Sequence, residues 1–256
     1  MSNRIGKCLI LEPNTEGRDF VVGDLHGYID KLKELTAMVN FDTEVDRLFS
    51  VGDMCDRGPD SFRCWKLIRK QWFYAIIGNH EIYAIAHKNA DHDMGKSFIG
   101  AQWDRFGGMW RHKYEDKPEF NEMVDELEEL PSVIVVKGNK ERKPFNIIHA
   151  EFFGEQDELE KGEYRPYVFD GLMYGRERIN RKIEKDNKIH TTYCGHSIVK
   201  QVGSLGPQVY LDTGCYSTGK LSMINTQTMK VYTTDGDSDT KKQKGKLVLP
   251  LERTVK

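Results

Sequence analysis

Along the first half of the chain, short apolar runs alternate with segments whose apolar positions recur at helical spacing. Asp19–Gly23 (DFVVG), Arg47–Val51 (RLFSV) and Trp72–Ile77 (WFYAII) read as buried strands. Between them, Leu32, Leu35 and Val39 share one face of a helix over 29–39, and Asp60 or Ser61 can cap a helix running to about Lys70. A further helix begins over Ile82–Ala86. Strands alternating with helices at this spacing predict βαβ units with parallel pairing. The middle is different: residues 95–114 are rich in glycine and aromatics, and an acidic amphipathic helix follows at about 119–129. Beyond Pro131 strands are expected at Val133–Val136, Phe145–Ile148, Thr191–Cys194, Val209–Leu211, Leu221–Ile224 and Met229–Thr233. Residues 234–246 are polar and charged, and read as a mobile loop or tail. With no internal repeat and no convincing linker, one domain spanning 1–256 is expected.

The 38 basic and 40 acidic side chains nearly cancel, which gives no electrostatic footprint for nucleic acid or an anionic membrane. The chain shows no run of about 18 apolar residues and no basic-then-apolar leader, so neither a spanning helix nor a secretory signal is expected. Cys8, Cys55, Cys64, Cys194 and Cys215 are odd in number and scattered without a C-x-x-C pair, which suits a reduced, cytoplasmic protein. None has an arginine six positions later, so a cysteine-nucleophile phosphatase of the C-x5-R type is not expected.

The chemistry lies just after the predicted strands, where open α/β sheets bind ligands. Gly23-Asp24-Leu25-His26-Gly27 follows the first, Gly52-Asp53-Met54-Cys55-Asp56-Arg57-Gly58 the second, and Gly78-Asn79-His80-Glu81 the third. His149 closes FNIIH, and His196 follows Gly195 at the end of TTYCGH. Taken singly, Asp or Asn beside Gly is usually a turn, and a lone strand-end histidine is usually structural. In extended backbone, residues i and i+2 point the same way, so Asp24 and His26 can grip one ion. Asp24, His26, Asp53, Asn79, His149 and His196, all expected on one edge of a sheet, are hard to ascribe to turns.

These motifs, with YGRERI before the last histidine and YLDTG after it, resemble the phosphoprotein phosphatases of the calcineurin-like metallophosphoesterase superfamily over roughly residues 18–225. The likeness favours the compact bacteriophage-lambda and bacterial branch, because Ile77 stands before GNHE where eukaryotic members carry Arg. The resemblance implies an α/β (α+β) fold: a metallophosphoesterase-type β-sandwich of mixed sheets flanked by helices, with a dimetal site at strand carboxyl ends. It assigns one metal to Asp24, His26 and bridging Asp53, and the other to Asp53, Asn79, His149 and His196. Mixed N/O ligation suits Mn²⁺, Fe or Zn²⁺, and the family branch points to Mn²⁺.

The implied reaction is direct hydrolysis of a phosphomonoester without a phosphoenzyme. Arg57 and Arg176 would clamp the phosphoryl oxygens together with Asn79 and His80. Arg178 and Arg181 lie close enough to be mistaken for Arg176. His80 would protonate the leaving alkoxide and Asp56 would orient it. Glu81 has two readings, a supporting residue of the family or a charge at a helix N-terminus.

The expected partner is a phosphorylated protein or peptide on serine or threonine, with phosphotyrosine a further candidate, in a bacterial or phage-infected cell. Two other functions compete: hydrolysis of diadenosine tetraphosphate or another nucleotide, and an inactive phosphate-binding module. A nuclease reading is weaker because Ile198 stands where a GHxH motif needs its second histidine. GCYSTGK at 214–220 is set aside as a P-loop, since Leu221 replaces the Ser or Thr that holds Mg²⁺. His87, His112 and His190 fall outside the strand-end set, and His92 between Asp91 and Asp93 reads as part of a solvated loop. The 97–114 stretch reads as core packing or a lid, since no basic setting marks it as a nucleic-acid platform.

Overall fold

The computed structural model describes residues 6–185 and 188–234. Eleven strands among these form two sheets. In chain order they are β1 (Cys8–Leu11), β2 (Asp19–Val22), β3 (Arg47–Ser50), β4 (Phe73–Ala75), β5 (Val133–Val136) and β6 (Phe145–Ile147), then β7 (Thr191–Cys194), β8 (Gly203–Leu205), β9 (Gln208–Tyr210), β10 (Ser222–Asn225) and β11 (Val231–Thr233). One sheet has the order β11-β10-β2-β3-β4 and the other β1-β5-β6-β7-β9-β8. The expected parallel pairing holds for β2-β3-β4, and a second parallel set, β6-β7-β9, lies in the other sheet.

The two sheets face each other across Val21, Phe49, Ile134, Ile147, Val209 and Ile224, which form one buried cluster. Strand alternation explains the continuous apolar runs. In β2, Val21 points into this cluster, while Phe20 and Val22 point outward under helices. Each such fully buried side chain contributes ~1.5–3 kcal/mol of transfer free energy, so the sandwich centre anchors both sheets. On the outside of the first sheet lie α1 (Ile29–Met38), α2 (Ser61–Trp65), α3 (Asn79–Lys88), α4 (Asp93–Arg105) and α5 (Pro118–Glu128). The other sheet is covered by α6 (Gln156–Glu160), α7 (Pro166–Tyr174) and α8 (Glu177–Arg181), and α9 (Cys215–Thr218) follows β9. The result is the mixed-sheet sandwich flanked by helices that the family resemblance implied.

Several boundaries differ for identifiable reasons. The helix expected to reach Lys70 ends at Trp65 and tightens into a 3-10 turn over Lys66–Arg69, which turns the chain toward β4. The helix expected to open at Ile82 starts at Asn79, because the Glu81 carboxylate reaches back to the Gly78 N–H. The strand-rich reading beyond Pro131 omitted α6, α7 and α8, two of which have only five residues. His92 caps α4 by accepting from the Gly95 N–H at 2.8 Å, where a loop was expected. Of the expected polar tail at 234–246, everything after Thr234 lies outside the described residues. None of the described helices is long and apolar enough to cross a membrane.

Candidate metal centre and cleft

The carboxyl ends of the two parallel strand sets meet at one edge of the sandwich, and every strand-end motif lands there. Asp24 and His26 follow β2, Asp53 to Arg57 follow β3, and Asn79 and His80 open α3 after β4. From the second sheet, His149 follows β6 and His196 follows β7. The backbone bends sharply at these points. Among the described residues, five of the nine non-glycine positions with positive φ are His26, Asp53, Asp56, Arg57 and His196. Such conformations cost on the order of 1–3 kcal/mol each and persist only where surrounding contacts hold them. Gly78 is needed where motifs approach: a Cβ there would lie 2.3 Å from Asp53 Oδ1.

Two tight donor groups share Asp53. One joins His26, Asp53 and His80, the other Asp53, His149 and His196, each within a 4.8 Å span. Asn79 completes the second, with its Oδ1 2.9 Å from both His149 Nε2 and His196 Nδ1. His80 also falls within the first group, next to the place expected for Asp24. Asp24 stands beside it, buried, accepting the His196 N–H. Burial and the charges of Asp212 and Asp53 push the Asp24 carboxyl well above the usual range.

The donor set suits divalent cations. His26 Nδ1 lies 2.7 Å from Cys55 O and His149 Nδ1 2.8 Å from Val51 O, which places the proton on Nδ1 and leaves the Nε2 lone pair facing inward. Arg57, which can only donate, sits with Nη1 2.6 Å from His26 Nε2 and confirms that tautomer. Burial, opposed by Asp53 and reinforced by Arg57, brings His26 down to about 3; burial likewise lowers His149, despite Asp53. Neutral imidazoles are the ligating form. Among the described residues no cysteine is near enough to join either group.

Around this centre opens a cleft of about 530 Å³ that includes Arg57, His80, Tyr83, Phe106, Arg176, Asp212 and Tyr216 in its wall. The Arg57 guanidinium lies 4.3 Å over the Tyr216 ring. The neighbouring arginines separate cleanly. Arg176 lines the cleft, Arg178 is buried and donates to the Ile183 and Lys185 carbonyls, and Arg181 pairs with Glu177 at the surface. His80 Nδ1 lies 2.6 Å from Asp56 Oδ2, and both side chains are buried. Burial alone would lower His80, but Asp53 and the hydrogen bond and charge of Asp56 outweigh it and hold the ring above its ordinary value.

Three features take their meaning only from the fold. Glu81 supports the site from the first turn of α3, as one of its two readings had it: fully buried, it accepts from the backbone N–H groups of Asp53, Met54 and Gly78, each at 2.9 Å. Burial and Asp53 raise it to about 7, against the pull of those N–H groups. Asp212 faces the cleft after β9 and, mainly through burial, rises to about 6. Its signal was available, since Leu211-Asp212-Thr213-Gly214 repeats the strand-end Asp-near-Gly pattern. The third is the pair of indoles behind Asp56: Trp103 and Trp110 donate to Oδ1 at 2.9 and 2.7 Å.

A model of the calcineurin-like phosphoesterase family matches residues 20–213. Serine/threonine-protein phosphatase 2 of Salmonella typhimurium is 29% identical over 213 residues, covering 80% of this chain and 91% of that protein. A symmetrical bis(5'-nucleosyl)-tetraphosphatase of Hamiltonella defensa is 39% identical over 70 residues, covering 27% of this chain and 26% of that one. The crystal structure of a putative diadenosine tetraphosphatase superposes with a TM-score of 0.64 at 21% identity, covering 90% of this chain and 97% of that one.

Proposed function

The chain belongs to the calcineurin-like phosphoesterase family, whose members use a dimetal site, and from that premise we propose that it is a serine/threonine protein phosphatase using Asp24, His26, Asp53, Asn79, His149 and His196 as metal ligands. Bound there, two divalent cations, Mn²⁺ in this proposal, would supply positive charge for the phosphate and a water of lowered pKa as nucleophile. The remaining work falls to side chains of the chain. Arg176 reaches the phosphoryl oxygens from the cleft wall. Arg57 joins it once the His26 lone pair is engaged elsewhere, guided by its stacking on Tyr216. His80 holds a proton on the ring nitrogen facing the cleft and delivers it to the leaving oxygen, while Asp56 fixes the ring through Nδ1.

One observation carries the choice of substrate class: the buried His80–Asp56 pair at 2.6 Å. A serine or threonine alkoxide is a poor leaving group and must be protonated as the P–O bond breaks. A nucleotide polyphosphate leaves as a weak base and needs no such acid. The relative that matches 80% of this chain, named serine/threonine-protein phosphatase 2, supports the same reading. The dinucleotide reading keeps one observation of its own. Tyr83 and Phe106 stack at 5.5 Å in the cleft wall, a surface on which an adenine could lie.

Phosphate release from phosphoserine and phosphothreonine peptides, p-nitrophenyl phosphate and diadenosine tetraphosphate, with Mn²⁺, separates the two. Turnover of the peptides supports the proposal. Turnover confined to the dinucleotide overturns it.

A further inference from the structure

The stretch over 97–114 reads from the sequence as core packing or a lid, and its inner face ends on the Asp56 carboxylate. Asp56 is fully buried, with its backbone at φ 70° and its N–H donating to Ser61 Oγ at 2.9 Å. Its side chain receives three nitrogen donors. Trp110 Nε1 is 2.7 Å from Oδ1, Trp103 Nε1 bridges Oδ1 and Oδ2 at 2.9 and 3.0 Å, and His80 Nδ1 is 2.6 Å from Oδ2. Trp103 comes from α4 and Trp110 from the 3-10 turn over Gly108–Lys113 that folds back on it. Gly108 makes that return possible: a Cβ there would lie 2.3 Å from the Trp103 ring. The same return brings the Gly107 carbonyl within 3.2 Å of the Arg57 N–H.

A buried indole usually finds an acceptor for its N–H, so a donor near a carboxylate can be simple satisfaction. The neighbouring ring argues otherwise. Trp65 packs edge-on against Trp110 at 4.8 Å in the same aromatic cluster, and its buried Nε1 has no hydrogen-bond partner among the described residues. Packing here therefore does not by itself direct every indole to an acceptor, and two of them converge on one carboxylate. Indole suits that task chemically. It donates only, and cannot exchange a proton with Asp56 or compete with it for the His80 N–H. Two such donors stop rotation of the carboxylate and keep Oδ2 aimed at the imidazole.

We infer that Trp103 and Trp110 are positioning residues for the leaving-group acid, acting on His80 through Asp56. This rests on His80 being that acid. The consequence is that the segment over 93–114 helps set how well the enzyme handles poor leaving groups.

The test is a double-mutant cycle on the full-length, Mn²⁺-loaded enzyme, using a phosphoserine peptide and p-nitrophenyl phosphate. Trp110→Phe is the primary variant because Trp110 is only partly buried; Trp103→Phe is its companion, and thermal melts confirm that each is folded. Each substitution is expected to lower kcat for the peptide about tenfold, the worth of one hydrogen bond to a charged group, with KM little changed and p-nitrophenyl phosphate largely spared. In an Asp56→Asn background the same substitution should change kcat by less than about twofold, because its route to the acid is already broken. An equal loss in both backgrounds, or an equal loss on both substrates, would overturn the inference. The Asp56→Asn enzyme alone tests the premise: if it loses no more on the peptide than on p-nitrophenyl phosphate, the acid reading fails, and this inference with it.

Discussion

Asp53 is the residue on which both donor groups converge, with Oδ1 3.4 Å from His149 Nε2 and Oδ2 3.8 Å from His26 Nε2. It also ties the motifs together, since Oδ1 accepts the His80 backbone N–H. A single carboxylate thus links the loops after β3, β4 and β6. In Asp53→Asn the loss of one negative charge between two expected cation positions should weaken binding of both ions and reduce turnover by at least about a hundredfold. Metal titration calorimetry and phosphate release check this together. Retention of two ions with near-normal rates would refute the bridging assignment. At this scale the sequence was most informative. Asp, His and Asn next to glycine and immediately after apolar runs announce side chains delivered to a strand-end edge. What it could not announce was tautomer, burial or the place of Arg57. These depend on Val51 O, Cys55 O and Tyr216, partners remote in sequence from at least one of the residues involved.

At the level of elements, Glu81 and the α4 turn show why the supporting structure was harder to read. Glu81 sits in the first turn of α3, where an acidic residue is ordinary, and only the fold reveals that the loop after β3 lies against it. Glu81→Ala removes the acceptor for three buried N–H groups and should destabilise the protein by about 3 kcal/mol or more, since each unsatisfied donor costs ~1–3 kcal/mol. Urea unfolding of metal-free protein measures it; an unchanged midpoint would mean that the loop re-forms its bonds elsewhere. In the turn after α4, His112 lies between Glu115 Oε1 and Asp104 Oδ2 at 2.9 and 3.0 Å, and those hydrogen bonds raise its pKa. A raised pKa in the folded state gives stability that is complete below the unfolded value of about 6.5 and is lost as pH rises through the folded value. Wild type should therefore lose more Tm than His112→Gln on going from pH 6 to pH 9. Because the ring is half exposed, screening keeps the difference small. Parallel pH profiles for the two proteins would contradict the assignment.

For the molecule as a whole, the sandwich brings two parallel strand sets from different sheets to one edge, so that residues from 24 to 212 share a single centre. The alternation of apolar runs made β2, β3 and β4 and their intervening helices legible, because each is a buried strand with a clear polar boundary. β1 is an edge strand only partly buried, and α6 and α8 are too short to display a period, so nothing local marked them. That the second sheet would face the first was likewise carried by the family resemblance and not by any segment's own pattern. The central claim is that this edge is a hydrolytic site in which His80 protonates the leaving group. The most direct test is kcat of Mn²⁺-loaded His80→Asn against leaving-group basicity. The expected result is a loss of ~10²–10⁴-fold on a phosphoserine peptide, the usual worth of a general acid, and a far smaller loss on p-nitrophenyl phosphate. Equal losses on both substrates would contradict it.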